Sequence, residues 1–147
     1  MTALEKMQNF IKMYPGYDQL EQFNIDYTDA VPNAGGIMPG GLVELETKTD
    51  IFGNRTVHNQ LNFAIYCRFA KDPGDDVSAG VNAEWVADFQ QWVQEQSAMG
   101  NAPEFGDEPW AERITAQNGM IFEADEEGTA IYMVQIAVTY RKHYERT

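Results

Sequence analysis

Two alternating runs joined by a short turn constrain this chain more than any other feature. From Leu42 to Thr49, Leu42, Glu44, Glu46 and Lys48 are set against Val43, Leu45, Thr47 and Thr49. From Arg55 to Ala70, Val57, Leu61, Phe63, Ile65, Cys67 and Phe69 fall on one side. A period of two places alternate side chains on opposite faces of a strand. With Ile51-Phe52-Gly53-Asn54 between them, the two runs predict a long β-hairpin with one apolar face. Such a face has to be covered, so the remaining elements must supply the cover.

Around the hairpin, the spacing of Leu4, Met7, Phe10, Ile11 and Tyr14 predicts a helix over Ala3–Met13, with Thr2 to cap it and Pro15-Gly16 to stop it. Leu20–Thr28 alternates Phe23, Ile25 and Tyr27 with polar residues and reads as a strand. Ala30–Gly41, with two Pro and four Gly, reads as an exposed, adaptable loop. Lys71–Gly80 reads as an acidic loop, followed by a helix over Asn82–Met99 with Asn82 as its cap and Trp85, Val86, Phe89, Trp92 and Val93 inward. Gly100–Pro109 is a second irregular link. Ala111–Ala124 and Thr129–His143 form a closing hairpin around Asp125–Gly128. Tyr132, Val134, Ile136, Val138 and Tyr140 share one face of its last strand and Ile131 and Met133 the other, which predicts a central strand covered on both sides. Without βαβ alternation, the order α-β-β-β-α-β-β predicts an α+β domain over residues 1–147: a mainly antiparallel sheet of about five strands with two helices packed on it.

Length and composition agree with one packed domain: 147 residues, 44% hydrophobic, with three Trp, eight Phe and seven Tyr. The single cysteine, Cys67, excludes an internal disulfide framework and a cysteine zinc cage. Met1–Tyr14 is amphipathic rather than a signal peptide, and no apolar run has bilayer-spanning length, so the expectation is a chain made and folded in a cytoplasm. A formal net charge of −13 disfavours specific nucleic-acid binding and anionic membranes, both of which call for clustered Lys and Arg. It fits plain solubility, a basic partner, or a surface that passes DNA without holding it.

Catalytic and metal chemistry find no motif. His58 and His143 have no second ligand at i+2 or i+4, and the clusters Asp72–Asp76 and Asp125–Glu127 do not follow the EF-hand spacing. Ser78 and Ser97 lack a nucleophile elbow, Cys67 sits on the apolar face of a strand, and Gly35-Gly36 and Gly40-Gly41 lead into no phosphate-binding helix. Among 23 acidic residues some pair always lies close, so paired carboxylates carry no specificity. The chain reads as a non-enzyme without cofactor or metal.

Longer strings carry a resemblance. Met1-Thr2-Ala3-Leu4-Glu5-Lys6-Met7, Pro15-Gly16-Tyr17, Asp26-Tyr27-Thr28-Asp29, Asp50-Ile51-Phe52-Gly53-Asn54 and Pro73-Gly74-Asp75-Asp76 are among them. The run from Trp85 to Ser97 and Phe105-Gly106-Asp107-Glu108-Pro109 complete the set. Together they resemble the tail terminator and minor capsid (head–tail joining) proteins of tailed phages and prophages of Gram-positive bacteria. The resemblance implies a virion protein of the tail or neck, made in the host cytoplasm. It implies α+β subunits that close into a six-membered ring on the tail tube, with other copies, the tube protein and the head–tail connector as partners. A head-completion or minor capsid role is the alternative within that class, and a non-catalytic binding module for a small ligand or host protein the alternative outside it. The family has no short signature to transfer. Tyr66, Arg68, Tyr132, Tyr140 and Arg141 are interface candidates by residue type, with packing under a helix as the other reading.

Overall fold

The computed structural model describes residues 2–20, 22–25, 34–70, 76–124 and 129–146. Two helices, α1 (Ala3–Lys12) and α2 (Asp76–Ala98), accompany strands β1 (Gln22–Ile25), β2 (Ala34–Thr49), β3 (Arg55–Ala70), β4 (Arg113–Ala124) and β5 (Thr129–Tyr144). Short 3-10 turns at Pro15–Gln19 and Pro109–Ala111 lie between them. The expected α+β class holds, with a four-stranded antiparallel sheet in the order β2-β3-β5-β4 and two helices packed on it. The edge differs from a plain meander, because β1 joins β2 in parallel at Ala34–Ile37.

Local chemistry sets the helix ends. Thr2 and Glu5 form a reciprocal capping box on α1, Glu5 N–H donating to Thr2 Oγ1 at 3.2 Å and Thr2 N–H to Glu5 Oε2 at 3.1 Å. Gly100, at φ 79°, ends α2. Asn101 N–H reaches back to Gln96 O and Gly100 N–H to Ser97 O, the paired bonds of a Schellman motif.

Three expectations are corrected. Residues 34–41 belong to β2 rather than to an exposed loop, and Ala34, Gly35, Gly36 and Ile37 are buried. A Cβ on Gly35 would lie 2.8 Å from the Phe23 ring, so glycine serves close packing there and not looseness. Pro39 and Gly40 fit an edge strand, where a register shift occurs and a missing N–H costs no ladder bond. The helix expected from Asn82 begins at Asp76, and Asn82 is a buried interior residue, not a cap. The acidic, Gly80-containing stretch reads locally as a loop, yet residues 76–80 continue the helix; residues 71–75 lie outside the described residues. Lastly, among the described residues β5 is covered on one face only. Tyr132, Val134, Ile136, Val138 and Tyr140 are buried, whereas none of Ile131, Met133, Gln135, Ala137, Thr139 and Arg141 is. The turn expected at 125–128 and the residues 26–33 also fall outside the described residues.

The core lies between the helices and one face of β3 and β5. Met7, Phe10 and Ile11 of α1 and Trp85, Val86, Phe89 and Val93 of α2 meet Phe63, Ile65, Cys67 and Phe69. Aromatic rings dominate the seam. Phe10 and Trp92 centroids are 4.9 Å apart, Phe69 and Trp85 5.1 Å, and Tyr14 and Phe89 5.2 Å in an edge-to-face pair. Burial pushes the Cys67 thiol up to about 12, so it is a packed core residue and not a reactive thiolate. Because the buried Phe89 ring packs against Tyr14, Trp85 and Trp92, Phe89→Ala is expected to cost about 3–5 kcal/mol in urea unfolding without changing the far-UV spectrum.

Candidate assembly surface

The strands outrun their cover. β3 has sixteen residues, a length of about 50 Å, while α2 with 23 residues spans about 35 Å. The buried residues of β3 begin at Asn59. Beyond it β2, β3 and the end of β5 continue as an arm with solvent on both faces.

Every residue of β2 from Pro39 onward is exposed, including Leu42, Val43 and Leu45. At the tip Ile51 is 94% and Phe52 75% exposed. This turn is built, not slack. Asp50 Oδ1 accepts from Phe52 N–H at 2.8 Å and Asn54 N–H at 2.9 Å, and Asn54 Nδ2 donates to Asp50 Oδ2. Gly53 takes φ 88°, which glycine adopts without strain. Desolvation raises the Asp50 carboxyl, but the bonds from Asn54, Phe52 and Gly53 together outweigh it and hold the group below the usual range. Two large apolar side chains are thus held in water on a pre-ordered turn, a geometry that lowers the ordering cost of docking.

The arm carries charges of both signs. Lys48, Arg55, Arg141, Lys142 and Arg146, five of the chain's ten Lys and Arg, lie on the arm strands or beside them together with Glu44, Glu46, Asp50 and Glu145. Arg146 N–H donates to Asn54 Oδ1 at 2.9 Å, which ties the end of the described chain to the turn. His58 and His143 come together on one face, His58 opposite Arg141 and His143 opposite Thr56; Thr56 Oγ1 lies 3.0 Å from His143 Nδ1. A loop of acids braces this part. Glu108 Oε2 stands 3.7 Å from Arg141 and 3.8 Å from His143, and Asp107 accepts from His143 N–H at 2.8 Å.

The same loop is anchored from below by Glu112, which is 3% exposed. Its carboxylate accepts from Phe105 N–H at 2.9 Å and from Gly106 N–H at 2.6 Å. Burial raises its pKa, the Gly106 and Phe105 N–H groups pull it back, Glu104 raises it and Lys6 lowers it; the net direction is upward.

The two sheet edges are unequal. On β4, Ile114 N–H donates to Ser97 Oγ at 3.1 Å and Ala116 O accepts from Gln90 Nε2 at 3.2 Å. Side chains of α2 therefore occupy backbone groups that an edge strand otherwise offers to a partner. On β2, no described strand flanks the edge beyond Ile37.

Of the five interface candidates, Tyr66 and Arg68 are half-buried and Arg141 exposed, all on the uncovered sheet face. Tyr132 and Tyr140 belong to the core on the opposite face. Burial raises both phenols, and the neighbouring Asn82 and Asn59 side chains respectively offset part of that rise. The five do not converge. Sequence reasoning passed over Ile51 and Phe52 because it read them as turn residues; large apolar side chains inside a turn were the available signal.

Among the described residues, no three His, Cys, Asp or Glu side chains gather in a way that could hold a metal ion. No described helix is long and apolar enough to cross a membrane. Comparison with known proteins adds no identity: no family model matches the chain, and no curated protein matches it significantly.

Two measurements test these placements. Asp50→Ala should speed amide exchange at Phe52 and Asn54 while leaving the core amides protected. In the parent chain the same loosening should appear as pH falls through the depressed Asp50 pKa, since a lowered carboxylate pKa stabilises only while the group is charged. Glu112 acts with the opposite sign. The native state holds its proton more tightly, so stability should fall as pH rises from the ordinary glutamate value through the raised one. Glu112→Gln should flatten that slope in urea midpoints measured across pH.

Proposed function

We propose that this chain is a structural morphogenesis subunit of a tailed phage or prophage, a tail terminator that forms a ring on the end of the tail tube and meets the head connector. The arm carries the reading: a stiff hairpin that presents Ile51, Phe52, Leu42, Val43 and Leu45 to solvent. A lone subunit gains nothing from such a projection, and exposed apolar groups on an ordered scaffold are what a partner surface buries. The acidic balance of −13 adds support, because a ring that DNA traverses has to repel the phosphate backbone. The likeness to terminator and minor capsid strings supplies the particular job. A head-completion or minor capsid role uses the same arm on a different neighbour.

One observation favours a binding module instead. On the uncovered sheet face, Gln60, Asn62, Gln117 and Gln135 line a shallow groove of about 400 Å³. Three of these amides already bond to neighbours, Gln60 to Asn62 at 2.8 Å and Gln135 to Asn118 at 2.7 Å, so we rank assembly first.

The test is to mix purified protein with terminator-free tail tubes of the parent phage and image their ends. A cap at one end with tube growth arrested is the expected outcome. Protein bound to filled heads instead moves it to head completion, and binding to neither particle overturns the assembly reading.

A further inference from the structure

Strand β4 begins at Arg113, opposite Thr139, while β5 runs on to Tyr144. Ile114 turns its N–H outward to Ser97, so Arg113 and Thr139 turn theirs toward each other. By the same alternation Arg141 and His143 point backbone groups out of that edge of β5, where β4 no longer reaches. A short piece of the preceding loop fills the gap. Asp107 N–H donates to Arg141 O at 2.8 Å, and His143 N–H donates to Asp107 Oδ2 at 2.8 Å. A Cβ on Gly106 would run into the Arg141 carbonyl, so the loop lies directly against the strand.

The flanks of this piece are anchored elsewhere. Lys6 Nζ donates to Glu104 O at 2.7 Å, Glu112 holds the Phe105 and Gly106 N–H groups, and Ala111 N–H donates to Glu108 O at 2.9 Å. Between the anchors, charged side chains hold Asp107 and Glu108 to β5. Lys142 Nζ stands 3.9 Å from Asp107 Oδ1, and Arg141 and His143 stand 3.7 and 3.8 Å from Glu108 Oε2. That oxygen is buried and accepts no hydrogen bond among the described residues. His143 Nδ1 lies 3.0 Å from Thr56 Oγ1, so Nε2 is the nitrogen turned to the carboxylate.

One member of this group can change charge near neutrality and touch the loop. His143 faces Asp107 and Glu108 from the loop, Arg141 and Lys142 on β5, and Lys48 beyond Thr56. His58, opposite Arg141 and Glu46, stands one row nearer the core. Lys and Arg stay charged across the neutral range, whereas imidazole ordinarily changes charge between about pH 5 and 8. A protonated His143 sets a full positive charge opposite the buried Glu108 oxygen. We propose that Asp107–Glu108 is a pH-sensitive latch on the outer edge of β5, fastened while His143 is charged and looser once it is neutral. Loosening opens the Arg141 carbonyl and the His143 N–H to solvent at the base of the arm. The latch stands apart from the assembly reading, since it concerns the root of the arm and not what the tip meets. Glu112, with Glu104 and Lys6 as its charged neighbours, acts on the anchored flank in the same direction, but its effect is read at the Phe105 and Gly106 amides.

Hydrogen exchange of the full chain at about pH 5.5 and about pH 7.5, either side of an ordinary imidazole pKa and corrected for the intrinsic chemical rate, tests the latch. The Asp107 and His143 amides are expected to open at least about threefold more at the higher pH, the scale of a partly exposed ion pair. That change should exceed any at the core amides of Ile65 and Val134, which follow global unfolding. His143→Gln and Glu108→Gln should each abolish the difference between the two pH values. A parent chain whose Asp107 and His143 amides change no more than the core overturns the latch. A difference that survives in either variant overturns it too, because the His143–Glu108 pair is then not the sensor.

Discussion

Everything distinctive in this molecule depends on the ladder between β3 and β5. It runs without a register break from Arg55 opposite Tyr144 to Ala70 opposite Thr129. Bulges bend and twist a strand, and β2 carries two register shifts, at Pro39–Gly41 and Glu44–Glu46, while β3 and β5 carry none against each other. Uninterrupted pairing instead carries the strands past the end of their helical cover. The inner half of the ladder becomes the floor of the core and the outer half becomes the arm. One element thus holds the fold together and creates its exposed apolar surface.

The helices complete the division of labour. α1 is ten residues long and α2 is 23, and their aromatic seam covers only the inner half of the sheet. α2 also reaches sideways, where Ser97 and Gln90 occupy the backbone groups of β4. That side chemistry turns a potential pairing edge into the wall of a groove. Asp107 and Glu108 fasten the intervening loop to β5 by a hydrogen bond and longer ion pairs, and Glu112 ties it to the start of β4. Much of the molecule's polar bonding therefore serves to fix the base of the arm.

The hairpin and α1 were legible because each follows a local rule: period-two alternation for one, a capping box and an i, i+3, i+4 stripe for the other. Where local composition and tertiary context disagreed, the local reading failed. Gly35 looks like loop material and instead sits so close beneath Phe23 that any side chain there would push the ring aside. Asn82 looks like a cap and lies inside α2, in contact range of the core phenol Tyr132. Ile131 and Met133 suggested a second cover that β5 does not have. The assembly surface was hidden for a related reason. No single segment states that the strands exceed the helices in length, so Ile51 and Phe52 read as an ordinary turn. Tyr132 and Tyr140 were chosen by residue type, and residue type does not say which face of a strand is covered.

The unbroken ladder has a mechanical consequence. A pull on the tip along the strand axis loads the hydrogen bonds between β3 and β5 side by side, so they share the force instead of opening one at a time. A pull across the sheet meets them singly. The subunit is therefore stiff along one direction and compliant at right angles to it, a useful property where neighbouring parts of a larger particle tug on it from a fixed direction.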